Sequence, residues 1–256
     1  MQLDSTNVDY YHLLANVYID YFQSKRALQT MELAAAKFPE RVPTLLKLAE
    51  FQLILNQADE SLVTVNEILK LDPNNAEAFV MMGMNFEQKG DEARAINSFQ
   101  TAVEKDPDLA DIWIKLGQLF AKRDNPIAIR YFDNGIEAAP MEVQPVYAKA
   151  EYMHLNNRFD EALKLLKDVN KLDPQFVEGY FRTGIIYLEM DSIEQANKQF
   201  DIVINVDPAL PKGYYYRALT AELKGNVESA KRDYQQTLNL DPKFERAQTA
   251  LEKLNQ

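Results

Sequence analysis

Apolar residues recur along this chain at the spacing of an α-helix, in short segments that come in pairs. Residues 76–107 contain two such segments, separated by Lys89-Gly90-Asp91. Helical periodicity on both sides of a glycine-containing turn predicts two amphipathic helices joined as a hairpin. The pattern therefore predicts an all-α chain built from helix pairs.

Prolines divide the chain at an almost constant spacing. They are Pro39, Pro73, Pro107, Pro140, Pro174, Pro208 and Pro242, at intervals of 34, 34, 33, 34, 34 and 34 residues. Proline lacks a backbone N–H and disfavours helical geometry in the residue before it, so each one predicts the end of a second helix. Aspartate precedes five of the seven. We expect these aspartates to accept hydrogen bonds from local backbone N–H groups and not to bind calcium.

The prolines divide the chain into seven predicted hairpins. These are residues 8–41, 42–75, 76–109, 110–142, 143–176, 177–210 and 211–244. Residues 1–7 are expected to be the tail of a preceding repeat, because they align with the loop that closes a hairpin. Residues 245–256 carry an apolar stripe and are predicted to form a capping helix. One hairpin cannot bury its own apolar faces, so we expect the copies to stack.

Two positions in every hairpin are occupied by small residues. The eighth residues are Ala15, Ala49, Gly83, Gly117, Ala150, Gly184 and Ala218, and the twentieth are Ala27, Ser61, Ala95, Ala128, Ala162, Ala196 and Ala230. Small side chains let two helices approach closely while bulky neighbours fill the space between them. These positions are predicted to be core contacts within each helix pair.

The repeated order of aromatic, small, aromatic, alanine, phenylalanine and proline positions resembles the tetratricopeptide repeat. In the third hairpin these positions are Phe79, Gly83, Phe86, Ala95, Phe99 and Pro107. The resemblance covers essentially the whole chain. It implies a right-handed α-solenoid superhelix of seven helix-turn-helix repeats with a C-terminal capping helix. Lys149, Thr183 and Arg217 depart from the pattern, since the family has leucine at that seventh position.

The fourth hairpin is one residue shorter than the others. The missing residue falls between its two helices, in the segment 122–126. Asparagine is a favoured N-cap and proline a favoured first helical residue. We therefore expect Asn125 to cap a helix that begins at Pro126.

Charge and composition exclude several classes of function. The 256 residues include 28 Lys and Arg against 39 Asp and Glu, a formal charge of −11. This balance disfavours nucleic acid, whose phosphates require clustered basic residues. No apolar run approaches the roughly 18 residues of a membrane span, and the absence of cysteine leaves the compartment open.

The sequence contains no arrangement typical of a catalytic or metal site. The two histidines, His12 and His154, lie four repeats apart and have no ligands at metal-like spacing. No phosphate-binding glycine loop and no nucleophile-base set at a known motif spacing is found. We therefore predict a protein without catalytic residues, cofactor or metal.

The resemblance also implies where a partner would bind. In this family the first helix of each hairpin faces the concave side, and its fifth, ninth and twelfth residues commonly project into the groove. Carried over to this chain, the predicted groove residues are Val80, Met84, Ile114, Gln118, Tyr147, Glu151, Phe181, Ile185, Tyr215 and Leu219. Aromatic residues predominate from Tyr147 onward, and they indicate either a contact surface or burial between neighbouring first helices.

The predicted function is a non-catalytic scaffold that binds a peptide or helical segment of another protein in this groove. Glu50, Glu87, Glu151 and Glu222 are expected to favour basic or amide groups in the ligand. Family members that bind C-terminal acidic tails use a set of lysine, asparagine and arginine positions that this chain does not match. The alternatives are a self-assembling module that forms homo-oligomers through its ends or convex face, or the substrate-presenting part of a larger enzyme. Bacterial cytoplasm and cell envelope both remain open as locations.

Overall fold

The computed structural model describes residues 7–255, which form fifteen α-helices joined by short turns. The expectation for the first residues of the chain falls on positions 1–6 and lies outside the described residues, as does residue 256 of the predicted capping helix. The chain forms two compact units, Met1–Ala138 and Ala139–Gln256, which we call unit 1 and unit 2.

Unit 1 is a row of helices in which each one packs against the next along the chain. Its helices are α1 (Val8–Asp20), α2 (Ser24–Lys37), α3 (Val42–Ile54), α4 (Ala58–Leu71), α5 (Ala76–Gln88), α6 (Glu92–Lys105), α7 (Ala110–Ala121) and α8 (Ala128–Ala138). Each hairpin predicted in this part of the chain contains two of these helices. The odd-numbered helix is the first of its pair.

Unit 2 repeats the same arrangement. Its helices are α9 (Val143–Leu155), α10 (Phe159–Leu172), α11 (Val177–Glu189), α12 (Ile193–Val206), α13 (Pro211–Leu223), α14 (Val227–Leu240) and α15 (Glu245–Leu254). The last helix, α15, buries Ala247 and packs Leu251 and Leu254 against the core that contains Ala230 and Tyr234. Its apolar stripe therefore covers the end of the α13–α14 pair.

A residue in the left-handed backbone conformation makes the turn inside each helix pair. These residues are Phe22, Asn56, Gly90, Asp124, Asn157, Asp191 and Gly225, with φ between 51° and 75°. Glycine, asparagine and aspartate tolerate this conformation, whereas a bulky side chain is strained there. Phe22 is the one bulky residue among these seven, since the other six are glycine, asparagine or aspartate.

The aspartates before the prolines behave as the sequence predicts. The carboxylates of Asp72, Asp106, Asp173, Asp207 and Asp241 each accept a hydrogen bond from the backbone N–H two residues later, at 2.8–3.3 Å. Each one follows the last residue of a second helix in an extended conformation. Their role at these helix ends is therefore confirmed.

The predicted start of the eighth helix is wrong by two residues. Oδ1 of Asn125 accepts a hydrogen bond from the N–H of Ile127 at 3.1 Å, but α8 begins at Ala128. Pro126 lies in a turn, where the N–H of Ala128 donates to the carbonyl of Asn125. In this hairpin, which is one residue shorter than the others, a turn thus replaces the predicted first residues of the helix.

The core contains the small residues predicted from the alignment, because all fourteen are buried. Where the eighth residue is glycine, a phenylalanine ring fills the space beside it. The pairs are Gly83 with Phe99, Gly117 with Phe132 and Gly184 with Phe200. In the other four hairpins the eighth residue is alanine, and the partner position holds Met31, Val65, Leu166 or Tyr234. The predicted close contacts are therefore confirmed, and a flat aromatic ring accompanies the smallest residue.

Candidate functional site

A cleft lies in unit 1 between α3 and α5, which are side by side. Its volume is about 560 Å³. The apolar side chains that line it are Pro43, Leu46, Leu53, Ile54, Val80, Met81 and Met84. Val80 is half-buried and Met84 is exposed. We call this feature the aliphatic cleft, and it brings together two of the residues predicted to contact a partner.

Charged residues also line the aliphatic cleft. The ammonium group of Lys47 lies 2.9 Å from Oε2 of Glu50 and 5.1 Å from the ring centroid of Phe51. Lys47 and Glu50 therefore largely neutralise each other. Glu77, in the first turn of α5, is exposed and forms no ion pair within residues 7–255. The sequence analysis did not place Glu77 among the predicted contact residues.

The other two predicted residues of unit 1 lie on α7. Ile114 is half-buried and packs beside Gly135 of α8, while Gln118 is exposed. Neither side chain lines the aliphatic cleft. The structure thus brings Val80 and Met84 to one feature and places Ile114 and Gln118 outside it.

Unit 2 carries three aromatic residues on successive first helices. They are Tyr147 of α9, Phe181 of α11 and Tyr215 of α13, and we call them the aromatic row. All three are half-buried. The ring of Tyr147 meets that of Phe176 edge-on with centroids 5.1 Å apart, and Phe181 meets Tyr216 edge-on at 5.2 Å. Each ring is thus held by its neighbours while part of it faces solvent.

Tyr215, the third member of the aromatic row, packs against other aromatic rings. Its ring centroid lies 5.0 Å from that of Phe244 and 5.1 Å from that of Tyr216. Burial raises the pKa of both Tyr215 and Tyr147 above the ordinary value for tyrosine. A tyrosine hydroxyl is protonated at neutral pH, and this upward shift of the pKa keeps both groups able to donate as well as accept hydrogen bonds.

An arginine connects α9 and α11 at the first member of the aromatic row. Nη2 of Arg182 donates to the hydroxyl oxygen of Tyr147 at 3.4 Å, and its guanidinium carbon lies 6.0 Å from the Tyr147 ring centroid. The same guanidinium forms an ion pair with Glu151, another predicted contact residue. Tyr147 and Glu151 are thus joined by a cation that the sequence analysis did not assign to the site.

A lysine is placed in a similar way over the second member. Nζ of Lys212 lies 4.3 Å from the ring centroid of Phe181 and 3.3 Å from Oε1 of Glu178. Such cation–π contacts stabilise an exposed ring by about 0.5–1 kcal/mol. Ile185 and Leu219, the remaining predicted residues of unit 2, are half-buried on α11 and α13.

The four glutamates expected to favour basic ligands already have partners within their own unit. Glu50 pairs with Lys47, Glu87 with Lys115 at 3.0 Å and Glu151 with Arg182, while Oε2 of Glu222 accepts a hydrogen bond from the Tyr234 hydroxyl at 2.8 Å. Pairing with a cation reduces the charge that Glu50, Glu87 and Glu151 present to a ligand, whereas the hydrogen bond from neutral Tyr234 occupies one oxygen of Glu222 and leaves its charge in place. The expected selection of basic groups by the three paired carboxylates is therefore weaker than the sequence suggests.

A second, polar pocket lies in unit 2 among α12, α13 and α14, with a volume of about 440 Å³. Arg217 extends into it and donates to Asp201 at 2.9 Å and to Asp233 at 2.7 and 2.8 Å. These hydrogen bonds, chiefly those to Asp233, raise the pKa of Arg217. The departure from leucine marked Arg217 as unusual, but nothing in the repeat pattern indicated its two partners.

The two histidines occupy separate environments. Nε2 of His12 lies 3.0 Å from Oγ1 of Thr44, and burial, assisted by the positive charge of Arg41, lowers the pKa of His12. Nε2 of His154, which is buried, lies 2.8 Å from Oε2 of Glu189. Each imidazole is thus engaged with a neighbouring repeat.

Two further kinds of feature are absent from the part of the chain that the structure describes. Within residues 7–255, no three side chains of the metal-binding types come together. No helix in that range is long enough and apolar enough to cross a bilayer.

Comparison with known proteins identifies the repeat. Residues 80–126 match the family model described as tetratricopeptide repeat. The structure is similar to the C-terminal part of a TPR repeat-containing protein from Cytophaga hutchinsonii, with 18% identity, a TM-score of 0.74, and 96% and 99% of the two chains covered. It is also similar to YrrB, described as a TPR protein with an unusual peptide-binding site, at 21% identity and a TM-score of 0.54, covering 70% of this chain and 92% of YrrB. These likenesses confirm the all-α solenoid fold class.

A curated relative matches part of this chain. The BBSome complex member BBS4 homolog of Drosophila melanogaster is 19% identical over 188 residues, which is 73% of this chain. The aligned part spans only 39% of the length of that relative. The match therefore carries no statement about the rest of the fly protein.

Proposed function

Because this chain carries tetratricopeptide repeats and folds as proteins of that family do, we propose that it is a non-catalytic scaffold for protein–protein interaction. Such repeats generally serve to bind other proteins. The proposed ligand is a peptide or helical segment of a partner protein. It contacts the first helices of the hairpins, at the residues that the sequence analysis predicted.

The half-buried aromatic row is the observation that carries this proposal. Three consecutive first helices present Tyr147, Phe181 and Tyr215, each fixed by contacts with other side chains. Rigid, partly exposed aromatic residues contribute much contact area at a low cost in side-chain entropy. Ile185 and Leu219 add aliphatic surface on the same two helices as Phe181 and Tyr215.

In unit 1 the proposed contacts are Val80 and Met84 in the aliphatic cleft, with Ile114 and Gln118 on α7. The cleft has the size of known ligand pockets, about 300–1,000 Å³. YrrB, whose fold is similar, is described as having a peptide-binding site. That description supports a peptide ligand here as well.

A pull-down experiment tests the role of the aromatic row. Wild-type protein and the double variant Phe181→Ala, Tyr215→Ala are immobilised and compared for recovery of partners from cell extract. We expect recovery to fall at least fivefold, because each truncation removes a large part of the contact surface. Circular dichroism verifies that the variant is folded.

The double variant Tyr21→Ala, Phe22→Ala is the matched control, since it removes two aromatic side chains that are exposed elsewhere on the surface. Its recovery should equal that of the wild type. Unchanged recovery by a folded Phe181→Ala, Tyr215→Ala variant would exclude the aromatic row.

Self-association is a second candidate, favoured by an apolar surface on α1. Tyr10, Leu13 and Val17 are exposed, with 62% of Leu13 accessible. The residues equivalent to Tyr10 in the next two hairpins, Thr44 and Ala78, are fully buried. Light scattering at increasing protein concentration tests this candidate. A constant monomer mass, unaffected by Leu13→Asp, would reject it.

A further inference from the structure

We propose that the aliphatic cleft of unit 1 binds a basic, amphipathic segment, with an aliphatic side chain in the cleft and a lysine or arginine beside Glu77. This inference rests on the proposed function and specifies the chemistry of the ligand at one of its surfaces. The ligand belongs to another protein. Its basic and aliphatic residues alternate at helical spacing.

The shape and lining of the cleft select the aliphatic part of this ligand. The apolar lining comes from α3 and α5 and includes Leu46, Leu53, Val80 and Met84 but no aromatic ring. Methionine and leucine side chains adjust to irregular aliphatic groups, and burying each methylene group contributes about 0.8 kcal/mol. Exposed Met84 can close over such a group after it enters.

The charges around the cleft select the basic part. Lys47 and Glu50 neutralise each other at 2.9 Å, which leaves Glu77 as the lining carboxylate without an ion pair in residues 7–255. A cation placed next to Glu77 gains a partner without displacing an existing one. This distinguishes Glu77 from Glu50 and Glu87, whose partners would have to be displaced.

The net charge of unit 1 also favours a basic ligand. Residues 1–138 contain 21 acidic and 13 basic side chains, a formal charge of −8, whereas residues 139–256 contain 18 and 15, a charge of −3. A strongly negative surface accelerates the approach of cationic ligands and repels anionic ones. It also opposes occupation of the cleft by a second copy of this acidic chain.

Fluorescence anisotropy with designed peptides tests the inference on the full chain. The probe is a fluorescein-labelled 15-residue amphipathic peptide with leucine on one helical face and lysine on the other. One comparison peptide replaces every lysine by glutamate, and another replaces every leucine by serine. We expect the leucine–lysine peptide to bind at least tenfold more tightly than either comparison peptide.

Protein variants then locate the binding. Glu77→Lys and Met84→Asp are each expected to weaken binding of the leucine–lysine peptide at least fivefold. Glu67→Lys is the matched control, because it makes the same charge change at an exposed residue of α4 outside the cleft lining. It should change affinity less than twofold.

Two results would overturn the inference. One is equal affinity for the lysine and glutamate peptides, and the other is equal weakening by Glu77→Lys and Glu67→Lys, which indicates only general charge attraction. Neither result affects the pull-down with Phe181 and Tyr215 variants in unit 2. If the Phe181→Ala, Tyr215→Ala variant recovers partners as well as the wild type while the peptide selectivity is retained, the aromatic row is rejected and the cleft is not. The failure of one proposal can therefore be distinguished from the failure of the other.

Discussion

The ring of Phe200 occupies the space that a side chain on Gly184 would need. An ideal Cβ on Gly184 would lie 2.6 Å from Cε1 of Phe200, closer than any real contact of this kind. Phe200 is fully buried, so its ring has little room to move. The same relationship joins Gly117 and Phe132. Close pairing of the two helices in these hairpins therefore requires glycine, which has no Cβ.

Substitution of Gly184 by alanine should destabilise the protein by about 1–3 kcal/mol, because the added methyl group overpacks the core. Urea unfolding followed by circular dichroism measures the change. Gly135→Ala is the control, since its Cβ would meet its nearest neighbour, Cβ of Trp113, at an ordinary 3.4 Å. Removal of a helical glycine there should be neutral or stabilising by up to about 1 kcal/mol. Equal stability of Gly184→Ala and wild type would contradict the packing argument.

The sequence predicts contacts such as the one at Gly184 because they depend on residue size at a fixed period. Small residues recur at the same positions of every hairpin, so a single alignment reveals the helix pairs and their core. The charge pairs beside the aromatic row could not be predicted in this way. Arg182 and Glu151 are 31 residues apart, and Lys212 and Glu178 are 34 apart. Neither of these two pairs recurs at the equivalent positions of another hairpin, so no periodic pattern marks it.

The candidate site was predictable to a similar extent. The repeat positions indicated that Val80 and Met84 would be close together, and they both line the aliphatic cleft. Glu77 was missed because its importance lies in the absence of an ion pair, which depends on where other side chains extend. The pattern of residue types contains no information about that.

Phe22 combines a left-handed backbone with a side chain that makes almost no contacts. Its φ is 57° and 95% of its surface is exposed. A bulky residue in this region of φ and ψ is strained by about 1–2 kcal/mol, whereas asparagine tolerates it. Phe22→Asn should therefore stabilise the protein by about 0.5–1 kcal/mol, measured by thermal unfolding.

The reverse substitution serves as a control for Phe22→Asn. Asn157 occupies the equivalent turn of another hairpin, with φ of 56° and an exposed side chain. Asn157→Phe should lower the melting temperature. If both substitutions shift the melting temperature in the same direction, backbone strain at Phe22 does not explain the stability change in Phe22→Asn.

His12 should make stability depend on pH in the mildly acidic range. Its pKa in the folded protein is lowered below the ordinary value near 6.5, mainly by burial. The unfolded state therefore binds the proton more tightly, and the stability contributed by neutral His12 is present above pH 6.5 and lost as pH falls through the folded pKa. His12→Gln should reduce the fall in melting temperature between pH 7.5 and 5.5. Parallel pH profiles of the variant and the wild type would contradict this assignment.

Arg217 places a charged side chain at a position where the family pattern has leucine. Its side chain is 29% exposed, and that of its partner Asp233 only 16%. Removal of the guanidinium by Arg217→Ala leaves the Asp233 carboxylate poorly solvated and without its strongest donor. After allowance for partial exposure, the expected destabilisation is about 1–3 kcal/mol. Arg232→Ala, at an exposed arginine that lines the same pocket, should cost less than about 0.5 kcal/mol.

Restoring an apolar contact tests whether the charges themselves are required. A buried ion pair can often be replaced by apolar side chains of similar volume at little cost, whereas breaking it on one side is costly. The double variant Arg217→Leu, Asp233→Leu should therefore recover most of the stability lost in Arg217→Ala, to within about 1 kcal/mol of the wild type. Chemical denaturation of the four proteins provides the comparison. If Arg217→Ala is no less stable than Arg232→Ala, the ion pairs contribute nothing to the packing of α12, α13 and α14.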